Sequence, residues 1–258
     1  MSFTEKAVAT ARLGFLEYRA ASPWHVVLTA EWPRVLLQCL FFTVLGRVTA
    51  GEEGGRFAFV GSVAMVIVLS TVTAIGDVPA IEKVNGTFHR LQLSGLPVAG
   101  VFALRSFPWL ANGMASAMLC LAIVGPATGN ADLSLALLPT LPIFALITVT
   151  SAAMGLAAAS PSVGRRAESV VANGLTYLLI ATAGLLIPVG QSRTLDMIGS
   201  VLPVRHGVLA IRAFIVDQPW LDDVIREVAI GGVWAMLAYG LYRRQAARSR
   251  VDGTDDFV

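Results

Sequence analysis

The sequence predicts an all-α membrane protein with six transmembrane helices. Of its 258 residues, 55% are hydrophobic and 14% are charged, and the mean hydropathy is +0.70. A soluble domain usually carries about 25% charged residues, so the chain is depleted of charge. Several charge-free windows reach the roughly 20 residues that a spanning helix needs. These windows are continuous and rich in Ala, Leu, Gly and Val, whereas the strands of a β-barrel would alternate between apolar and polar residues.

The N-terminal arm, 1–30, is predicted to hold a helix that lies in the membrane interface. Within it, Phe3, Val8, Phe15 and Tyr18 share one face at helical spacing. Arg12 lies at the edge of the other face. This amphipathic pattern is typical of an interfacial helix. A solvated helix that packs on a cytoplasmic partner is the alternative.

The remainder is predicted to form one transmembrane domain, 31–243, followed by a cytoplasmic tail, 244–258. Charge-free windows and the basic residues that flank them define its spans. The spans are predicted at 31–50, 57–80, 98–124, 134–159, 169–189 and 224–243.

The segment 190–223, which precedes the last span, is the longest predicted connection on its side of the membrane. Two apolar stripes at helical spacing follow one another there, and Pro203 lies between them. Because proline interrupts a helix, we interpret the segment as a re-entrant or interfacial helical element broken at Pro203.

Basic residues predict that both termini are cytoplasmic. Six spans bring the two ends of the chain to the same side, and the side richer in Lys and Arg is usually the cytoplasm. Only two of the 19 basic residues are lysine, which suggests a high-GC bacterial genome and a bacterial plasma membrane. The basic residues assigned to the cytoplasm are Lys6, Arg12, Arg19, Lys83, Arg90, Arg165, Arg166, Arg243, Arg244, Arg248 and Arg250.

The sequence lacks the residue patterns that catalysis or nucleotide binding would require. The three histidines are far apart and no HExxH or GxSxG motif occurs, which disfavours a metal site or a hydrolase. Lys6 and Lys83 both lie outside any Gly-Lys-Ser/Thr sequence, so the chain has no phosphate-binding loop and ATP energy would have to come from another chain. Cys39 and Cys120 lie within apolar spans and are interpreted as buried hydrophobes. No basic groove with aromatic platforms indicates nucleic-acid binding.

A short polar segment, 81–100, separates the charge-free runs 57–76 and 106–131. It reads IEKVNGTFHRLQLSGLPVAG, and Val84, Phe88 and Leu91 form a narrow apolar stripe within it. Such a short amphipathic helix is able to dock into a groove on a soluble partner. The alternative is an interfacial turn that only satisfies the positive-inside rule.

This segment resembles the first cytoplasmic loop of type-2 ABC transporter permeases. That loop typically reads Glu, three residues, Gly-Thr, three residues, Leu, and then a Pro that opens the third span. The matching residues are Glu82, Gly86, Thr87, Leu91 and Pro97.

A second resemblance to the same permeases lies in VLPVRHGVLAIRAF, before the last span. Members commonly carry a proline, then an aromatic residue or histidine, and then an arginine, which Pro203, His206 and Arg212 match. The six spans and the N-terminal arm are similar to the family's plan as well.

The resemblance implies the membrane subunit of an exporter that pairs with a second permease and docks on a separate ABC ATPase. No cofactor is expected in this chain, and ATP and Mg would bind to the ATPase. The second permease is either another copy of this chain or a different one. The residues expected to couple to the ATPase are Glu82, Gly86, Thr87, Phe88, Arg90 and Leu91, with Arg165 and Arg166 of the second cytoplasmic loop. A basic membrane anchor is the alternative role for the last two.

Polar residues in spans two and five are expected, by resemblance, to line the path between paired subunits. Packing between helices is the alternative, since hydroxyl and small residues serve that purpose in membranes. Glu31 and Arg34, three residues apart, are predicted to form an intrahelical ion pair. The predicted path residues are Ser70, Thr73, Asn173, Thr176 and Tyr177.

The predicted function is therefore ATP-driven export of an amphipathic cargo. The cargo is a drug or antibiotic, as in multidrug efflux, or a lipid, or a lipid-linked glycan. An ion-coupled secondary transporter is one alternative, although the middle of each predicted span lacks the Asp or Glu that ion coupling would use. A membrane enzyme and a non-transporting scaffold or immunity protein are the others.

Overall fold

The protein is described by a computed structural model that covers residues 2–84, 95–162 and 168–252. The predicted all-α class is confirmed, because these residues are almost entirely helical and contain no strand. A π-helical turn (Val27–Glu31) links the second helix to the third, and a 3-10 turn (Leu138–Thr140) links the fifth to the sixth. The helices are α1 (Phe3–Ala21), α2 (Trp24–Val26), α3 (Trp32–Val84), α4 (Val98–Ala127), α5 (Ala131–Leu137), α6 (Leu141–Ser162), α7 (Glu168–Thr182), α8 (Arg193–Val201), α9 (Arg205–Ile215) and α10 (Leu221–Asp252).

Helix α1 begins with a capping box. The Ser2 hydroxyl accepts a hydrogen bond from the Glu5 N–H at 3.2 Å, and the Glu5 carboxylate accepts one from the Ser2 N–H at 2.8 Å. These reciprocal bonds satisfy donors that a helix start leaves free. The helix packs against α4, and the predicted apolar face is divided: Tyr18 is buried, whereas Phe3 and Val8 are exposed. The interfacial position of α1 stays a prediction.

Helix α3 reverses direction at Ala50 and Gly51. Gly51 has φ +69°, a conformation that glycine adopts without steric cost. A Cβ atom placed on Gly46 would lie 2.5 Å from the carbonyl oxygen of Gly54, although eight residues of straight helix would separate the two by about 12 Å. We call the residues before the reversal arm A (32–49) and those after it arm B (52–84). The reversal lies where the sequence separates its first two predicted spans.

Four helical stretches in the described residues are long and apolar enough to cross a membrane. The pair α8 and α9, bent by 101°, would add a fifth if the pair counted as one span. The part of α7 that the structure describes has 15 residues, whereas a span needs roughly 20, so the six-span count stays a prediction. The four stretches are Trp24–Val72, Val98–Ala127, Ala131–Ser160 and Leu221–Ala247.

The hydrophobic core lies where arm B meets α4, α6 and α7. Its largest fully buried side chains include Phe59, Met65 and Phe144. Small residues bring the backbones close together, as is common between membrane helices. A Cβ atom at Gly61 would overlap the carbonyl oxygen of Leu185, just beyond α7. Arm B is thus surrounded by other helices for much of its length, and its neighbours line one side of the cavity described next.

Candidate functional site

A polar cavity of about 570 Å³ lies between both arms of α3, α4 and α7. Its volume falls in the range of roughly 300–1,000 Å³ that is typical of small-molecule sites. One carboxylate and one guanidinium face it, together with three carboxamides, two hydroxyls and a tryptophan. The residues that line it are Ala30, Glu31, Arg34, Val35, Gln38, Val66, Leu69, Ser70, Trp109, Asn112, Ser116 and Asn173.

The cavity forms where one stripe of each helix faces the same space. Counted from Glu31 in the π-helical turn, this turn and arm A contribute residues at i, i+3, i+4 and i+7. Arm B contributes i, i+3 and i+4 from Val66, and α4 contributes i, i+3 and i+7 from Trp109. Residues at these spacings lie on one face of an α-helix. Helical periodicity therefore explains why these side chains converge, although they come from distant parts of the chain.

Hydrogen bonds hold the carboxylate of Glu31 in the cavity wall. It accepts bonds from the Ser22 hydroxyl at 2.7 Å and from the Asn112 amide at 3.2 Å. The Asn112 carbonyl oxygen in turn accepts the indole N–H of Trp32 at 3.3 Å. The predicted ion pair between Glu31 and Arg34 is wrong, because within the described residues Glu31 is held by Ser22 and Asn112 and makes no ion pair with Arg34.

Two of the predicted path residues, Ser70 and Asn173, line this cavity together. The Ser70 hydroxyl donates to the Val66 carbonyl within arm B at 2.8 Å. Thr176 is buried and Tyr177 is 69% exposed, and neither lines the cavity. The side chain of Thr73 lies outside the description. A path between paired subunits along these residues stays a prediction.

Sequence reasoning missed four polar or aromatic members of the wall: Gln38, Trp109, Asn112 and Ser116. Polar residues were predicted to line a path only in spans two and five, whereas Gln38 lies in the first predicted span and the other three lie in the third. A search for carboxamides would have found Gln38 and Asn112, because an amide in an apolar environment is costly unless it has a polar partner.

Helix α1 supports the cavity from behind, through α4. The buried guanidinium of Arg105 donates from Nε to Glu17 Oε2 at 3.0 Å, and Nη2 pairs with Glu17 Oε1. Tyr18 packs edge-on against Trp109, with ring centroids 4.7 Å apart. Burial, and then the charge of Glu31, raises the pKa of Tyr18 to about 12. Because Trp109 lines the cavity, the docking of α1 fixes one part of the cavity wall.

The bent helix pair α8–α9 is held by a fully buried carboxylate. Glu227 of α10 accepts the backbone N–H of Val204 at 2.7 Å, that of Gly207 at 3.1 Å, and the Thr150 hydroxyl at 2.6 Å. The two N–H groups belong to the start of α9, where the positive end of the helix dipole favours an anion. Val204 adopts φ +83°, a strained conformation for a β-branched residue, so this junction is held by tertiary contacts.

The residues of the second resemblance all belong to this pair or to its break. The predicted interruption at Pro203 is confirmed, since α8 ends at Val201 and α9 begins at Arg205. His206 Nδ1 lies 3.2 Å from an Asp223 oxygen. Arg212 donates to the carbonyl oxygens of Gly184 at 3.0 Å, Leu185 at 3.2 Å and Phe57 at 3.3 Å.

The bent pair and the polar cavity lie at different heights along arm B. Arg212 binds the carbonyl of Phe57, close to the reversal at Gly51. Arm B rises by about 20 Å from Phe57 to Ser70, which lines the cavity. The bent pair therefore lies near the reversal, and the cavity lies near the middle of arm B.

Most of the residues expected to couple to an ATPase lie outside the described residues. Glu82 belongs to the last turn of α3, but its side chain is outside the description. Pro97 precedes the first residue of α4, in agreement with the predicted start of the third span. Gly86, Thr87, Phe88, Arg90, Leu91, Arg165 and Arg166 lie outside the described residues, so their coupling role stays a prediction, as does the assignment of ATP and Mg to a partner.

The long apolar helices define a multi-pass helical membrane protein. The chain belongs to the ABC-2 type transporter family, whose model matches residues 26–216. The match includes every residue of the polar cavity and all of the bent helix pair. The resemblance seen in the sequence is thereby confirmed. No curated protein sequence matches the chain.

Proposed function

We propose that the chain is the membrane-spanning permease subunit of an ATP-driven exporter. It pairs with a second permease and couples to a separate ATPase through the loop from Glu82 to Leu91. Its termini are cytoplasmic, and it belongs to a bacterial plasma membrane. The cargo is amphipathic: a drug or antibiotic, a lipid, or a lipid-linked glycan. The observation that carries the proposal is the family match over residues 26–216.

The geometry of the molecule supports a mechanism of alternating access. In the proposed topology, Glu31 and Arg34 lie at the cytoplasmic start of the first span, and the polar cavity that they line receives cargo there. The bent helix pair lies nearer to the reversal between the two arms and closes the external side. ATP binding and hydrolysis on the partner then shift the relative stability of the inward-open and outward-open states.

The proposal is tested by searching the neighbourhood of the gene for an ABC ATPase and producing the chain together with it. We expect the two to co-purify, and the complex in liposomes to export cargo only when ATP is supplied. Leu91→Glu places a charge on the expected docking stripe and should abolish co-purification. Leu221→Glu is the matched control, because Leu221 is exposed at the start of α10, on the proposed external side. Cargo movement by the purified permease without an ATPase would contradict the proposal.

A further inference from the structure

Two opposite charges face the polar cavity without pairing with each other. Glu31 is held by Ser22 and Asn112. Arg34 lies three residues further along the same stripe and is exposed, and among the described residues it makes neither an ion pair nor a hydrogen bond. An ion pair between the two would have neutralised both charges. Instead each is available to a ligand in the cavity.

The two charges offer different chemistry to a ligand. The Arg34 guanidinium presents a planar fork of donors that matches the two oxygens of a phosphate or carboxylate. A carboxylate accepts about four hydrogen bonds. Glu31 already accepts two, so its remaining acceptor positions are able to bind an ammonium group. Trp109 in the same wall adds an aromatic ring, whose face attracts cations.

The balance of charge selects against ligands that carry a single charge. A lone cation would be attracted by Glu31 and repelled by Arg34. A lone anion would be attracted by Arg34 and repelled by Glu31. In both cases the repulsion partly cancels the attraction. The other polar groups in the wall, among them the Gln38 and Asn173 amides, are neutral. A ligand with one anionic and one cationic group satisfies both charged side chains at once.

Apolar side chains lie beside the charges in the same wall. Val66 and Leu69 of arm B and Val35 of arm A line the cavity together with Glu31 and Arg34. A membrane lipid offers both kinds of group to such a wall, a charged headgroup and apolar acyl chains. We propose that the polar cavity binds the zwitterionic headgroup of a membrane lipid, with the oxyanion on Arg34 and the ammonium on Glu31. That this lipid is the exported cargo rests on the proposed function.

Lipid binding to the purified full-length chain tests the inference directly. Native mass spectrometry would compare four lipids with identical acyl chains: zwitterionic phosphatidylethanolamine, anionic phosphatidylglycerol, a cationic ethylphosphatidylcholine and a neutral monoglucosyl diacylglycerol. We expect phosphatidylethanolamine to bind best. Arg34→Gln and Glu31→Gln should each weaken its binding about tenfold, the loss of one charge-assisted contact. Arg193→Gln, at an exposed arginine of α8 outside the cavity, should leave binding unchanged.

The preference of each variant separates a specific effect from misfolding. Glu31→Gln should shift the preference towards the anionic lipid, and Arg34→Gln should shift it towards the cationic one, whereas a misfolded chain would lose all four lipids together. The inference is overturned if the wild type binds the neutral or a singly charged lipid as tightly as phosphatidylethanolamine. It is also overturned if water-soluble glycerophosphoethanolamine binds as tightly as the lipid, because the ligand would then need no acyl chains.

The binding measurement is independent of the ATPase. If phosphatidylethanolamine is not preferred but the ATPase complex still exports another cargo, the inference fails and the proposed function stands. If the lipid is preferred but no ATPase binds the chain, the proposed function fails and the lipid site stands.

Discussion

The carboxylate of Glu227 accepts the backbone N–H of Val204 at 2.7 Å, at the junction between α8 and α9. Glu227 belongs to α10 and is fully buried, so a charge on one helix stabilises the strained start of another. The same carboxylate reaches α6 through Thr150. One side chain thus connects α10 and α6 to the bent helix pair.

Glu227→Ala is expected to destabilise the protein by about 3 kcal/mol, because buried N–H groups at the start of α9 would lose a charged acceptor. For a chain of this size that corresponds to a fall in the thermal midpoint on the order of 10 °C. The midpoint would be measured in lipid nanodiscs. Asp222→Ala, at an exposed carboxylate of α10, is the control. Equal midpoints for the two variants would mean that Glu227 does not hold the junction.

Gly61→Ala is expected to lower the thermal midpoint, because its Cβ would overlap the carbonyl oxygen of Leu185. Overpacking of this kind typically costs about 1–3 kcal/mol. Gly232→Ala is the matched control, since a Cβ at Gly232 of α10 has no atom within 4 Å. Alanine is the better helix former, so Gly232→Ala should keep or raise the midpoint. A Gly61→Ala variant as stable as Gly232→Ala would show that arm B does not approach Leu185 so closely.

The sequence was sufficient to predict the helical class and several helix ends, because those depend on local composition. The start of α4 after Pro97 and the break at Pro203 follow from proline itself. The reversal at Gly51 follows from the short polar stretch between two apolar windows. These features needed no knowledge of which helices pack together.

The polar cavity could not be predicted, because its residues meet only through packing. Asn112 bonds to Glu31 across 81 positions of sequence, and no local pattern relates the two. The i,i+3 rule predicted Arg34 as the partner of Glu31, but Asn112 and Ser22 hold the carboxylate instead. For the same reason Glu227 was unremarkable in the sequence, since its partners Val204 and Thr150 lie on other elements.

Glu17→Ala is expected to loosen the docking of α1 on α4, because it leaves the buried guanidinium of Arg105 without this carboxylate. Glu17 is partly exposed, so solvent screens the pair and the global stability should change little. The effect should be local: faster amide hydrogen exchange in α1. Arg12→Ala, at an exposed residue of the same helix, is the control. Unchanged exchange in Glu17→Ala would mean that contacts such as that of Tyr18 with Trp109 suffice to dock α1.

Asn173→Trp is expected to lower ATP-driven transport about tenfold, because an indole at this position would fill part of the polar cavity. Val171→Trp introduces the same side chain two residues earlier on α7, at an exposed position outside the cavity, and should keep normal transport. Transport would be measured in liposomes that contain the ATPase complex, after co-purification has shown that both variants assemble.

Tyr177→Ala distinguishes the polar cavity from the path predicted between paired subunits. Tyr177 is exposed and does not line the cavity of its own chain. If cargo passes through the cavity, Asn173→Trp should impair transport and Tyr177→Ala should not. If cargo instead passes between subunits along α7, Tyr177→Ala should impair transport as well, because Asn173 and Tyr177 are both predicted path residues. Normal transport by Asn173→Trp would therefore remove the cavity from the export route, whatever lipid it binds.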